Sequence, residues 1–161
     1  CNGQVYCPSI PSHPVVLNQA AGPLYVQEMC PNEFMICSQT SSAAVMIDDD
    51  GNLTTRHQRN QHFNSAVDRF LTQSDGTVYC YLNNTLKIIV DVKLLPMSVI
   101  IGYIKTRHIL VCYTPVKHEL TLCYLRYHRQ TCRRIEAYQT PYVYEEYLLI
   151  KTHNEVIFEV L

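Results

Sequence analysis

Eight cysteines are the residues whose spacing limits their chemistry most. None forms a Cys-x-x-Cys pair, and none is matched by a nearby His-x(3–5)-His, the spacings typical of structural zinc sites. An even number of cysteines in a small chain is typical instead of disulfide bonds made in an oxidising compartment. We therefore expect disulfides among Cys1, Cys7, Cys30, Cys37, Cys80, Cys112, Cys123 and Cys132.

The sequence leaves the pairing of these cysteines open. Cys112 and Cys123 lie symmetrically about a turn at residues 115–118 in a predicted hairpin. Their side chains face each other in one register and point to opposite faces after a slip of one residue, because side chains alternate along a strand. Cys1, at the start of the chain, is a candidate for an intermolecular bond.

Two N-glycosylation sequons agree with an oxidising compartment. Asn52 begins Asn-Leu-Thr and Asn83 begins Asn-Asn-Thr. The chain starts at Cys1 without a methionine or an apolar leader, which fits a mature chain whose signal peptide has been removed. We expect a secreted, extracellular glycoprotein that passes through the endoplasmic reticulum lumen during maturation.

The seven histidines are candidates for acid–base catalysis. His118, His128 and His153 fall in or near predicted turns, and His57 and His62 fall in a polar segment. None belongs to Gly-x-Ser-x-Gly or His-Glu-x-x-His, so we expect surface histidines and no catalytic residues. The alternative is a small secreted hydrolase that uses a histidine pair, as secreted ribonucleases do.

The acidic turn at residues 48–51 has the carboxylates of a calcium site but lacks the alternating ligand spacing of an EF-hand loop. As a solvated turn it needs no ion. We expect neither a metal ion nor another cofactor.

Two groups of side chains are candidates for binding. Near Cys132, the arginines form a basic cluster that suits a sulfated glycan or an acidic protein face. In the alternative interpretation, their aliphatic stems simply cover neighbouring tyrosine rings. The members of this cluster are Arg126, Arg129, Arg133 and Arg134.

The second group comes from the twelve tyrosines, which give large contact areas at low entropic cost. Tyr142 and Tyr144 share one face of a predicted strand spanning residues 142–151, and Tyr147 falls on the other face. We expect a surface around these tyrosines to contact an extracellular protein partner.

Short β-type runs separated by turn residues fill most of the chain. One such run, Ile88-Ile89-Val90, is apolar on both faces and predicts a central strand. Residues 52–62 predict an exposed polar loop. Apolar side chains at helical spacing predict a short helix over 63–73, namely Phe63, Ala66, Val67, Phe70 and Leu71.

The 161 residues and 18.6 kDa suit one domain, 1–161, with residues 48–76 as an insertion of polar loop and helix. A formal net charge of −1 argues against general attraction to nucleic acid or anionic membranes. The longest nearly uncharged run, residues 94–104, is too short to span a bilayer. About ten short strands predict an antiparallel sandwich or barrel.

The segment from Asp75 to Cys80 resembles strand F of immunoglobulin domains, in which a tyrosine stands two residues before a core cysteine. Here Tyr79 directly precedes Cys80, and the chain has no tryptophan. The resemblance implies an immunoglobulin-like β-sandwich stabilised by disulfides, with Cys37 as a partner for Cys80.

The cysteine-rich start, the Cys30-Pro31 step and the closing segment 144–161 together resemble the secreted immunoglobulin-like accessory proteins of coronaviruses. Relative to that family, residues 48–74 are an insertion. The resemblance implies a secreted glycoprotein that binds host immune or adhesion proteins and modulates immunity without catalysis. A third interpretation is the ectodomain of a viral envelope or surface glycoprotein.

Overall fold

The computed structural model describes residues 4–5, 15–16, 25–38, 41–59, 63–83 and 85–161. Within these ranges the regular secondary structure is almost entirely β-strand. The strands are β1 (Gln4–Val5), β2 (Val15–Val16), β3 (Tyr25–Cys30), β4 (Glu33–Cys37), β5 (Ser42–Ile47), β6 (Leu53–Arg59), β7 (Phe63–Val67), β8 (Phe70–Gln73), β9 (Val78–Leu82), β10 (Thr85–Ile88), β11 (Val99–Ile104), β12 (Ile109–Thr114), β13 (Glu119–Tyr124), β14 (Arg129–Arg134), β15 (Tyr142–Tyr144), β16 (Tyr147–Lys151) and β17 (Val156–Val160). Two 3₁₀ turns, Pro115–Lys117 and Leu125–Tyr127, connect β12 to β13 and β13 to β14.

The strands form successive antiparallel meanders, in which each strand pairs with its neighbours in sequence. We name them sheet I (β3–β6), sheet II (β7–β10), sheet III (β11–β14) and sheet IV (β15–β17); β1 and β2 form a separate pair. The prediction of an all-β, antiparallel fold is therefore confirmed.

Tight turns close most of these hairpins because one residue in each turn adopts a left-handed conformation. In sheet III this residue is a histidine in all three turns: His108 (φ 53°), His118 (φ 50°) and His128 (φ 48°). Asn, Asp and His tolerate this region better than most non-glycine residues. The ten-residue spacing of the three histidines thus sets the repeat of the meander.

The helix predicted over residues 63–73 is wrong. The structure has two strands there, β7 and β8, joined by a turn with Asp68 at φ 53°. Val67 pairs with Phe70 across this hairpin. A two-residue turn therefore places residues i and i+3 side by side, the same spacing that a helix would give.

The polar loop predicted over 52–62 is also wrong, because β6 occupies most of it and pairs with β5. This strand is last in the strand order of sheet I, and polar residues are common in strands at the edge of a sheet. Residues 48–76 therefore contribute strands to sheets I and II in place of the predicted polar loop and helix.

The first strands of consecutive sheets contact one another: β3 contacts β7, β7 contacts β11, and β11 contacts β15. We call these first strands the inner strands. Successive meanders whose inner strands lie side by side match the arrangement of consecutive blades in a β-propeller. An immunoglobulin-like sandwich, which needs Greek-key connections between two sheets, is not confirmed.

Apolar side chains fill the spaces between the sheets. The strand β12 shows how: Leu110 and Cys112 pack toward sheet II, while Ile109, Val111 and Tyr113 pack toward sheet IV. All of its residues are buried, as expected for a strand covered on both faces. By contrast, the predicted central strand at residues 88–90 is not central, since Ile88 ends the outer strand of sheet II and is exposed.

Candidate functional site

The outer face of sheet IV is an exposed apolar surface, which we call the tyrosine face. The pairing register places two rows of three side chains across it, Tyr142–Leu149–Phe158 and Tyr144–Tyr147–Val160, followed by the pair Lys151–Val156. The opposite face of the sheet carries Leu148 and Ile150, which are buried against sheet III.

All three tyrosines predicted to bind a partner lie on the tyrosine face. The prediction that Tyr147 lies on the opposite side from Tyr142 and Tyr144 is wrong. Residues 142–151 form two strands, and a turn with Glu145 at φ 53° makes Tyr144 and Tyr147 direct cross-strand partners. Cross-strand partners point to the same side of a sheet.

Sequence reasoning did not select the apolar side chains of β17 that complete this face. Phe158 is 69% exposed and Val160 is 66% exposed, comparable with Tyr142 at 63%. The signal was present in the sequence as the alternation of Val156, Phe158 and Val160 along one strand face. Their exposure could not be read from that alternation, because sequence does not show which face another sheet covers.

Charge is nearly absent from the tyrosine face. Lys151 is its single charged residue, and it lies at the margin, beside Val156. Glu159 belongs to the other face, where its carboxylate accepts a hydrogen bond of 2.5 Å from Arg133 of sheet III. An aromatic and aliphatic surface with one marginal cation is typical of protein contact sites.

A cleft of about 910 Å³ lies between the end of β14 and the β16–β17 hairpin. Ile135 and Ile150 are buried residues in its wall. Its polar lining is His118, Arg133, Arg134, Glu136, Tyr138, Thr152, His153, Asn154, Glu155 and Glu159.

Two histidines and three glutamates thus share one cleft, and side chains of these types can act as general acids and bases. Neither histidine bonds a carboxylate there: His118 Nδ1 lies 3.4 Å from the Tyr113 hydroxyl, and the His153 ring lies 4.9 Å from that of Tyr138. In the described residues, histidine meets carboxylate elsewhere, at His128 and Asp91, 2.7 Å apart.

The structure divides the predicted basic cluster into two parts. Arg133 and Arg134 line the cleft, whereas Arg129 lies at the other end of β14, with its guanidinium 5.6 Å from the centre of the Tyr124 ring. Arg134 lies five positions after Arg129 along the strand, a distance of about 17 Å. The three glutamates of the cleft outnumber its two arginines, which disfavours a strongly anionic ligand such as a sulfated glycan.

Arg126 contacts His108 at the same end of sheet III as Arg129. Its guanidinium donates a hydrogen bond of 2.9 Å to Nε2 of His108. Because arginine has no acceptor, Nε2 must be unprotonated and the proton must sit on Nδ1, 3.1 Å from the Tyr103 hydroxyl. This arginine therefore fixes a histidine tautomer.

The cysteines within the described residues are all free thiols, namely Cys30, Cys37, Cys80, Cys112, Cys123 and Cys132. The predicted disulfides are therefore not confirmed, and Cys1 and Cys7 lie outside the described residues. Cys37 and Cys80 belong to different core clusters, on either side of sheet II, so they are not partners. Burial raises the pKa of the Cys37 thiol to about 12.

The two sequon asparagines are exposed in hairpin turns. Asn52 follows the turn between β5 and β6, and its backbone N–H donates a 2.7 Å hydrogen bond to Asp48. This bond lowers the pKa of the Asp48 carboxyl. Asn83 lies between β9 and β10 with φ 48°. Across the described ranges, no group of three or more acidic, histidine or cysteine side chains is placed to hold a metal ion.

No protein-family model matches the chain, and no curated protein matches it. Among the described residues, no helix has the length and apolar character needed to cross a membrane.

Proposed function

We propose that this protein is a secreted glycoprotein that recognises host extracellular proteins through the tyrosine face, without catalysis, as a viral immune-modulating factor would. The observation that carries the proposal is the tyrosine face itself. Monomeric soluble proteins rarely expose large contiguous apolar patches. Where such a patch is exposed, it marks a site of contact with another protein. The exposed sequon asparagines and the resemblance to secreted viral accessory proteins support the extracellular setting.

The partner should present a flat, mainly apolar surface with an acidic group near its edge. The rows of aromatic and aliphatic side chains offer area without charge, and Lys151 offers one cation at the margin. Tyrosine is favoured as a contact residue because it buries a large ring while fixing only two torsions. Binding should therefore depend on ring contacts and only weakly on salt.

A binding screen against an array of extracellular immune and adhesion proteins tests the proposal. Replacing Tyr142 and Phe158 together by serine should weaken the interaction about 30-fold or more, as the loss of central contact residues does. Tyr127→Ser is the matched control, because Tyr127 is 74% exposed in a turn of sheet III, away from the tyrosine face. Equal loss in the control, or no loss in the double variant, would refute the assignment of this face.

A second candidate function is hydrolysis in the cleft, which the convergence of His118 and His153 with glutamates favours. Nuclease and glycosidase assays test it directly. Activity that disappears in both His118→Ala and His153→Ala, but survives in His128→Ala, would support catalysis there. Activity that survives in all three variants would exclude it.

A further inference from the structure

Three thiols share one face of sheet III. Cys112 of β12 pairs with Thr121 of β13, and Thr121 pairs with Cys132 of β14. Cys123 lies two residues after Thr121, so its side chain points to the same side of the sheet. Cys123 is thus diagonally adjacent to Cys112 on one side and to Cys132 on the other.

Contacts link these side chains. The thiols of Cys112 and Cys123 are joined by a hydrogen bond, and the Thr121 hydroxyl lies 3.5 Å from Cys132 Sγ. Hydrogen bonding between the two side chains raises the pKa of Cys112 and lowers the pKa of Cys123. Cys123 is therefore the member of this pair that ionises more readily.

Exposure differs along the same line. Cys112 and Cys123 are buried in the core between sheets II and III, whereas Cys132 is exposed on the outer strand. A reagent in solution meets Cys132 first. The buried pair is reached only through it or through opening of the sheet.

We propose that Cys112, Cys123 and Cys132 form a thiol–disulfide exchange site, which a low-molecular-weight disulfide oxidises at Cys132 and which ends in a buried Cys112–Cys123 disulfide. The inference is independent of the tyrosine face.

Each step exchanges one S–S bond for another. Cys132 thiolate attacks oxidised glutathione, which forms a mixed disulfide and releases one glutathione thiolate. Cys123 thiolate attacks Cys132 Sγ and releases the second glutathione, and Cys112 thiolate then attacks Cys123 Sγ and regenerates free Cys132. Overall, two protein thiols are oxidised, one glutathione disulfide is reduced to two glutathiones, and the protons of Cys112 and Cys123 pass to the released thiolates.

The diagonal position makes the final bond reducible. Diagonal Cα atoms in an antiparallel pair are about 7–8 Å apart, slightly beyond the about 4.4–6.8 Å usual for disulfides. The strands must draw together to close the bond, and strained disulfides have more oxidising potentials than relaxed ones. Exchange in both directions is therefore expected.

Incubation of the reduced full chain with oxidised glutathione, followed by alkylation and peptide mass mapping, tests the proposal. The expected product lacks two hydrogen atoms and carries a Cys112–Cys123 link, with Cys132 alkylated. Cys132→Ser should form the same link at a clearly lower rate, and Cys123→Ser should stop at a stable glutathione adduct on Cys132. Cys37→Ser is the matched control for a buried thiol and should behave as the unmodified chain.

A second experiment applies if the folded core does not open enough for the buried thiols to react. The denatured, reduced chain is refolded in a glutathione buffer, and the disulfides formed are mapped in the same way. A Cys112–Cys123 link in either experiment supports the site. Failure to find this link in both experiments, or an unchanged rate in Cys132→Ser, overturns it.

Discussion

Sheets III and IV approach each other closely at Gly102 of β11. A Cβ atom built on this glycine would lie 2.6 Å from Cβ of Val143 in β15 and 2.7 Å and 2.9 Å from its two γ-carbons. Side-chain atoms do not pack this closely, so the pair of inner strands can meet only because residue 102 has no side chain.

Gly102→Ala should therefore destabilise the fold. Overpacking of a core typically costs about 1–3 kcal/mol, and the tight contact places this site near the upper end. This cost is partly offset, because replacing glycine lowers the conformational entropy of the unfolded chain and so stabilises the fold by about 0.4–1 kcal/mol. The net expectation is a loss of about 2 kcal/mol, or about 4–8 °C in the melting temperature of a chain of this size.

Two second-site variants separate the clash from other causes. Val143→Ala removes the γ-carbons but keeps the Cβ atom at 2.6 Å, so it should not rescue Gly102→Ala. Val143→Gly removes all three close atoms and should make Gly102→Ala nearly neutral in its own background.

Urea unfolding, followed by circular dichroism, measures these differences for the unmodified chain, the three single variants and the two double variants. The interaction free energy from the cycle with Val143→Gly should be about as large as the cost of Gly102→Ala itself. If Gly102→Ala is as stable as the unmodified chain, or if Val143→Ala rescues it fully, the proposed contact between β11 and β15 is refuted.

Further expectations follow from burial and charge. Leu120→Ala should cost about 2–5 kcal/mol in urea unfolding, because Leu120 is fully buried between sheets III and IV, and a loss under 1 kcal/mol would contradict that packing. The pKa of Asp75 lies below its ordinary 3.8 because its carboxylate accepts the Thr77 N–H at 2.9 Å. The ionised Asp75 carboxylate therefore stabilises the folded state above pH 3.8, and this stabilisation is lost as the pH falls below that value. An NMR titration should show a midpoint for Asp75 below 3.8, and Thr77→Pro should raise that midpoint toward 3.8. At pH 8, iodoacetamide should label Cys132 well before Cys37, since the pKa of Cys37 is about 12, and equal labelling in a mass map would contradict its burial.

The strands were largely predictable from sequence, whereas their assembly was not. Alternation along Glu119–Tyr124 and the turn at residues 115–118 are local signals, and the structure has β13 and a hairpin at those positions. Which strands form one sheet depends on contacts between distant residues. The same set of short strands therefore predicted a sandwich, although the chain forms successive meanders.

The secondary-structure predictions were wrong where one sequence pattern fits two different structures. Phe63, Val67 and Phe70 fit a helix by spacing, and a two-residue hairpin satisfies the same spacing. Likewise, the predicted strand over 142–151 contains no glycine or proline to mark its turn, because Glu145 takes the left-handed conformation instead. The sequence predicted that these tyrosines lie at the surface. It did not predict that they share one face with the side chains of β17.

In the part of the chain that the structure describes, strands pair only with their neighbours in sequence, and this affects how the chain folds. Residues that contact each other within a sheet are close together in sequence, so bringing them together costs little chain entropy. Topologies rich in local contacts fold faster than Greek-key sandwiches of similar size. During synthesis, sheets I, II and III can each close before the next is made, and each finished sheet then offers a template on which the following one packs.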